Sequence, residues 1–476
     1  MEQLDYIVLF GYLVIVTGIA VWAGGKQTSA KSFFLADRTL PWWMVMLSVV
    51  ATETSVLTFL SIPGLAYKTD LGFLQLALGY IIGRWVVAHF LLPYYFDEGI
   101  ESTYEFIRNR WGKDIQRFSS LVFMGTRILA DGVRLFMTAI PLHLITGWSF
   151  PVSIGVIGFF TLIYTLIGGI RSVIWADTVQ FGIYLLGAGA TYFILHNLVD
   201  GGWASIFAIA SAEGKLSVFH FSMGDGFIGI FKHPYQFVTA ILGGMFLSMA
   251  SHGTDHLMVQ RLMACRDIKS GQKALIGSGF LALFQFGIFL ILGVGIWVFF
   301  EGKEMNANEV FSQFIIDNLP AGLTGFIVAG IFSAAMSTLS SSINALASST
   351  LIDWIKVSNP EKYNLKMSRL LSVFWALVLI VVASLFTDTQ SPLVEVGLAI
   401  ASFTYGGLLG FFTLGRLKKQ FSPQSVMVGF LLSLFVMISV VSFSQIAWPW
   451  FTPIGILTMV SVSFALEWSL GEMDLT

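Results

Sequence analysis

Five hydroxyl side chains, Ser337, Thr338, Ser340, Ser341 and Ser342, crowd a single apolar stretch, IFSAAMSTLSSSINALASST, from Ile331 to Thr350. Ala334, Ser337, Thr338 and Ser341 fall at i, i+3, i+4 and i+7, so a helix stacks them along one face. An uncharged face of this kind can pack and hydrogen-bond against another helix. It can equally offer several neutral oxygens to a small hard cation. Asp177, in IRSVIWADTVQFGIY, is a lone carboxylate near the start of another apolar run. Either it pairs with a basic group, Arg171 being the candidate, or it adds one negative charge to a cation site with Ser337, Ser340 and Ser341. We favour the second.

Other ionisable residues lie inside apolar runs, where they are costly and usually functional. Glu53 can serve as a substrate ligand, a proton acceptor or half of a buried ion pair. Arg127, Asp131 and Arg134 are spaced so that all three meet on one helix face. They either neutralise one another, or free one arginine to grip a carboxylate in a bidentate fork. Two arginines against one aspartate leave a positive charge to be met by Glu53 or by an anionic solute. The spacing leaves open which of the two arginines grips the carboxylate. Ser55, Thr58 and Gln75 complete the candidate substrate set. Arg84 and His89 read as an anchor at the cytoplasmic end of their span. His252 and His256 have the i, i+4 spacing of metal ligands, but no further histidine or cysteine pattern supports a metal centre.

These residues need a membrane to position them. The chain has 476 residues, of which 56% are hydrophobic and 11% charged. Its mean hydropathy is +0.79. A soluble domain carries about 25% charged residues, so this is an all-α integral membrane protein. The net charge of −2 argues against a nucleic-acid partner. The single cysteine, Cys265, excludes an intrachain disulfide and a cysteine-built metal site. The N-terminus has no basic leader segment.

A span needs about 20 residues. About thirteen candidates are found, near residues 5–23, 41–66, 71–95, 117–145, 150–168, 174–198, 234–256, 273–300, 321–349, 367–387, 391–414, 424–445 and 450–467. Lys and Arg collect in one set of loops, from Lys26 to Lys419, while the other set holds only Lys68, Lys215, Lys232 and Lys303. The crowded set is cytoplasmic, so the N-terminus is outside and the C-terminus inside. The longest outer loop, about 199–231, has room for short helices only. Two spans look interrupted. The second holds SVVATETSVLTFLSIPG and the seventh holds GGMFLSMASHGTDH. They open two consecutive sets of five helices, the pattern of an inverted-repeat transporter whose broken helices frame a midplane site.

Four stretches carry a family resemblance. YTLIGGIRSVIWADTVQ (Tyr164 to Gln180), SHGTDHLMVQRLMACRD (Ser251 to Asp267), AAMSTLSSSINALAS (Ala334 to Ser348) and KSFFLADRTLPWW (Lys31 to Trp43) resemble motifs of the bacterial solute:sodium symporter family. The resemblance spans nearly the whole chain. It implies a LeuT-type 5+5 inverted repeat with one extra N-terminal helix and two C-terminal helices. The single transporter domain, 1–476, then divides into an extra helix and loop (1–39), a first repeat (40–198), a second repeat (232–415) and two peripheral helices with a tail (416–476). The resemblance also implies a sodium site formed by the carbonyls of Ala51, Thr54 and Ala334 and the hydroxyls of Ser337 and Thr338. A second, present in some members, matches Asp177, Ser337, Ser340 and Ser341. Sugar-transporting members favour amides where this chain has Glu53, and sialic-acid transporters use an arginine in the region of Arg127 and Arg134.

The reading is therefore a non-enzymatic symporter in a bacterial cytoplasmic membrane. It imports a small organic solute, a carboxylate or zwitterion such as a sialic acid, amino acid or monocarboxylate. It takes one or two Na+ per cycle and uses no cofactor and no obligate protein partner. The rivals are a proton-coupled symporter using Glu53 or Asp177, a sodium-coupled sugar transporter, a channel and a membrane-embedded enzyme.

Overall fold

The computed structural model describes residues 1–54, 57–97, 99–221, 226–386 and 393–473. No strand occurs among them, and Leu40 and Cys265 form an isolated bridge. Helix α1 (Gln3–Gly24) is followed by α2 (Trp42–Glu53), α3 (Ile62–Lys68), α4 (Phe73–Phe90), α5 (Lys113–Thr146) and α6 (Phe150–Leu198). Then come α7 (Phe237–Gly253), α8 (His256–Met263), α9 (Ile268–Phe299) and α10 (Leu323–Ser349). The last four are α11 (Leu365–Ser384), α12 (Leu393–Arg416), α13 (Pro423–Phe443) and α14 (Phe451–Met473).

Among the described residues, ten helices are long and apolar enough to cross a membrane, or twelve when each bent pair counts as one span. The expected count of thirteen requires α6 to be divided. Its 49 residues would run about 74 Å, more than twice the ~30 Å hydrocarbon core. The backbone breaks at Gly169, with φ 56° and ψ −145°. A Cβ there would meet the Phe33 carbonyl oxygen at 2.2 Å, so both the conformation and the close approach demand glycine. The outer loop holds a short helix, Gly202–Ala212.

Both interrupted spans are bent as the sequence suggests. The Trp42–Glu53 and Thr58–Lys68 segments meet at 67°, and α7 meets α8 at 61°. Thr54 leaves the helical region with ψ 80°, which releases last-turn carbonyls of α2 from intrahelical donors. At the second break Asp255 caps α8, its Oδ1 accepting from Leu257 N at 3.0 Å.

The serine-rich helix α10, with its continuation to Lys356, is 94% buried over its apolar window, against 28% for α1 and for α13. It is therefore the central rod of the bundle, and α1 and α13 are peripheral. Helix α10 packs against α6, α1, α5 and α2, and α4 packs along α7.

Candidate functional site

The carboxylate of Asp177 ties the centre together. Ser337 Oγ donates to its Oδ1 at 2.6 Å and Ser48 Oγ to its Oδ2 at 2.5 Å. One carboxylate on α6 thus bridges the broken helix α2 and the serine helix α10. Thr52 Oγ1 and Ser341 Oγ, 3.2 Å apart, make a second tie between the same two helices. Ala51, Thr54, Ala334, Ser337 and Thr338 are all buried, and Thr338 lines a small cavity with Asp131 and Arg134 of α5. Thr338 Oγ1 donates to the Ala334 carbonyl at 3.1 Å. Ser48, Ser337, Thr338 and Ser341 each spend their one proton on a neighbour and keep lone pairs for another acceptor role, which is the state a cation ligand needs. Gln285 Nε2 donates to Thr54 Oγ1 at 2.6 Å and holds the break from the α9 side.

Asp177 does have a basic partner, and it is Arg261, not Arg171, the candidate that chain proximity offered for the less favoured alternative. Arg171 is exposed, whereas Arg261 is fully buried. Arg261 Nη2 lies 3.4 Å from Asp177 Oδ2, and the same guanidinium donates to Ser341 Oγ, to Ser48 Oγ at 3.0 Å and to the Leu257 carbonyl at 2.7 Å. Ser340 and Ser341 both donate to the Ser337 carbonyl, at 3.1 and 2.5 Å. Asp177 is thus joined to Ser337, with Ser340 and Ser341 bound to the carbonyl of that serine, and a guanidinium lies on the carboxylate where a second sodium was expected.

Beside the first break lies a cavity of about 70 Å³, lined by Glu53, Thr58, Arg127, Arg134, His252 and Asp255, among others. Arg84 is not a cytoplasmic-end anchor. It is fully buried, ion-pairs with Glu53 and donates to Ser278 Oγ at 2.7 Å. Arg127, Asp131 and Arg134 do share a face, with Asp131 Oδ1 3.5 Å from Arg127 and 3.1 Å from Arg134. The surplus positive charge goes to a residue the sequence reading overlooked in this role. Asp255 Oδ2 sits 3.1 Å from Arg127 Nη2 and accepts from the Tyr405 hydroxyl at 2.5 Å. Three arginines, Arg84, Arg127 and Arg134, then face three carboxylates, Glu53, Asp131 and Asp255, and their formal charges cancel.

Ser55 lies outside the described residues. Gln75 is buried away from the cavity lining, its amide nitrogen donating to the Tyr235 and Gly72 carbonyls at 2.7 and 3.2 Å and its oxygen accepting from His220 N at 3.2 Å. His252 and His256 do not share a helical face, because the chain breaks between them at Thr254 and Asp255. His256 is held by Thr103 Oγ1 at 3.0 Å and Ser348 Oγ at 3.1 Å. No group of three or more metal-ligating side chains is found among the described residues.

Residues 33–432 match the sodium:solute symporter family. Over 481 aligned residues the chain is 27% identical to the sodium/sialic acid symporter NanT of Aliivibrio fischeri, covering 97% of this chain and 92% of that one. It is 30% identical to the human sodium-coupled monocarboxylate transporter 1 over 91% of this chain and 73% of that one. Among solved structures it superimposes on a Na+-coupled sialic acid symporter, in a substrate-bound outward-open state to which a novel Na+ site is ascribed. That comparison has a TM-score of 0.87 at 25% identity, covering 98% and 97% of the two chains. The broken-helix pair, the buried serine rod and these matches agree, and the chain belongs to the sodium:solute symporter family.

Proposed function

We propose that the protein imports a carboxylate-bearing organic solute, of the sialic acid, amino acid or monocarboxylate kind, together with Na+ by alternating access. One observation carries the substrate class. Arg134 has a single ion pair, to Asp131, keeps 15% of its side chain open and lines the cavity. Arg127 is instead committed to Asp255, Asp131 and Tyr405. Arg134 is the cation left to meet a solute carboxylate, in the bidentate geometry that guanidinium favours. Because the ionic groups around the cavity already cancel, an anion entering alone would leave a net buried charge. An anion entering with one Na+ would not, which couples solute to ion electrostatically.

The first sodium is assigned to Ala51, Thr54, Ala334, Ser337 and Thr338. Their burial supports the assignment, as do the ties between α2 and α10 through Asp177 and between Thr52 and Ser341. A second is assigned to Asp177, Ser337, Ser340 and Ser341, and must compete there with Arg261 for the carboxylate. Two sodium ions falling through 100 mV supply about 4.6 kcal/mol, enough for roughly thousandfold accumulation of a neutral solute. A monoanion offsets one of those charges. The loop distribution of Lys and Arg supports a bacterial cytoplasmic membrane location with the N-terminus outside and the C-terminus in the cytoplasm.

A thermal-shift screen of the purified protein over sialic acids, amino acids, monocarboxylates and sugars, in NaCl and in KCl, tests this reading. A carboxylate should raise the melting temperature in NaCl only. Equal stabilisation in both salts, or stabilisation by an uncharged sugar alone, would overturn it.

A further inference from the structure

The N-terminal helix α1 lies at the edge of the bundle, with most of its surface open. Its inward face nevertheless carries three polar contacts, at residues 5, 12 and 20, and each reaches a helix that bears proposed sodium ligands. We propose that α1 is a brace that fixes the position of the sodium helix α10, and that Asp5 and Tyr12 are positioning residues for Na+ binding. The proposal rests on the sodium-site assignment given above.

The first contact is a helix cap supplied from another helix. Asp5 is only 2% exposed. Its Oδ1 accepts from Gly322 N at 2.6 Å and Gly325 N at 2.9 Å, and its Oδ2 accepts from Glu2 N at 2.8 Å. The residue that precedes α10 is Gly322, which has no side chain with which to cap. A capping oxygen normally comes from that position and satisfies an amide of the first turn. Here Asp5 provides it from α1. Two helix N-termini, each with a partial positive charge, converge on one carboxylate. The approach is close: a Cβ on Gly325 would fall 2.5 Å from the Asp5 Cα. The start of α10 is therefore fixed in height against α1.

The second contact lies lower on the same helix pair. Ser333 Oγ and the Tyr12 hydroxyl are 2.6 Å apart, and Ser333 Oγ is also 2.7 Å from the Ala329 carbonyl. The single proton of Ser333 is shared between two acceptors, the Tyr12 hydroxyl oxygen and the Ala329 carbonyl, so this hydroxyl is held between α1 and its own helix. Ser333 immediately precedes Ala334, whose carbonyl belongs to the proposed sodium site. The third contact reaches α6. Ser172 Oγ donates to the Ala20 carbonyl at 2.6 Å, three residues beyond the Gly169 break and on the arm that carries Asp177. Helix α1 thus grips both the helix of Ser337 and the helix of Asp177. It does so along about 22 Å of its own length, at 1.5 Å per residue.

A sodium site depends on carbonyls and hydroxyls held at fixed separations, so a small displacement of α10 against α2 weakens binding without abolishing the fold. The test uses the full-length purified protein and Na+ itself as the probe. Thermal unfolding is recorded along an NaCl series, with KCl holding ionic strength constant, and the Na+ concentration giving half of the stabilisation is compared between variants. Y12F is the conservative change and keeps the ring packing; D5N keeps one acceptor oxygen; V14A, on the exposed face, is the control. We expect the half-saturating Na+ concentration to rise at least threefold in Y12F and further in D5N, and not to move in V14A. Lower melting in KCl with an unchanged Na+ midpoint in both Y12F and D5N would show that α1 is merely structural and would overturn the proposal. S337A separates the two levels. A shifted midpoint in S337A with none in Y12F and D5N sinks the brace alone. An unshifted midpoint in S337A, or no Na+ response in the unaltered protein, removes the sodium-site assignment and the brace with it.

Discussion

Arg261 Nη2 lies 3.4 Å from Asp177 Oδ2, and both side chains are wholly buried. The pair sits among Ser48, Ser337 and Ser341, so the second Na+ proposed above would have to share this carboxylate with a fixed guanidinium. Removing the carboxylate charge strands the guanidinium, and breaking a buried pair from one side costs about 3–5 kcal/mol. D177N should therefore lower the melting temperature sharply. The double variant D177N/R261Q should lose much less than the sum of the two singles. A double-mutant cycle on thermal unfolding checks this, and strict additivity would show that the pair is not coupled.

The two arginines of α5 should separate stability from recognition. Arg127 satisfies Asp255 and Tyr405 at the second helix break. R127Q should thus cost folded yield and thermal stability, by about 3–5 kcal/mol if the ion pair is lost outright. Arg134 has one ion pair and an open edge, so R134Q should fold and yet lose binding of a carboxylate ligand by one to two orders of magnitude. Titration of each variant with the ligand identified by the thermal-shift screen distinguishes them. Retained binding in R134Q would remove Arg134 from the site.

Glu53 and Arg84 form the charged wall between α2 and α4. If Glu53 carried protons for transport, E53Q would abolish uptake driven by a pH gradient. With Glu53 committed to Arg84, E53Q and R84M each strand one charge of the pair, so both should be more damaging than the double variant E53Q/R84M. Comparing uptake and melting temperature in E53Q, R84M and E53Q/R84M checks the order. An R84M protein as stable as the unaltered one would contradict it.

Gly169 joins the two arms of α6 at φ 56° against the Phe33 carbonyl. G169A places an L-residue in a conformation that costs about 1–3 kcal/mol and adds a steric clash. It should lower the melting temperature, with or without Na+, and an unchanged melting temperature would show that this break is not rigidly held.

The features that sequence showed well are those written in local pattern. The hydroxyl stripe from Ser337 to Ser342 has helical spacing, and α10 is the most enclosed of the candidate spans. The interruptions near Glu53 and Gly253 carry polar residues inside apolar runs, and both are bent. The Arg127–Asp131–Arg134 face followed from i+4 and i+3 geometry and is present. What was not legible are the partners brought together only by packing. Arg84 looked like an end anchor because hydropathy gives a residue's span, not the direction in which the helix turns it. Arg171 was the one basic candidate for Asp177 that chain proximity offered, whereas Arg261 is 84 residues away. Asp255 was visible in a motif, but its dual duty as helix cap and counter-ion of Arg127 depends on a tertiary contact. The helix break also separated His252 from His256, a spacing that is meaningful only on an unbroken helix.

Solute uptake into proteoliposomes under an imposed Na+ gradient, at fixed pH and clamped membrane potential, tests the central claim most directly. For a ligand found in the thermal-shift screen, the unaltered protein should accumulate solute only when Na+ is higher outside. S337A should need at least tenfold more Na+ for half-maximal uptake. Equal accumulation driven by a proton gradient in Na+-free medium, or an S337A protein with an unaltered Na+ requirement, would contradict coupling through the crossing of α2 and α10.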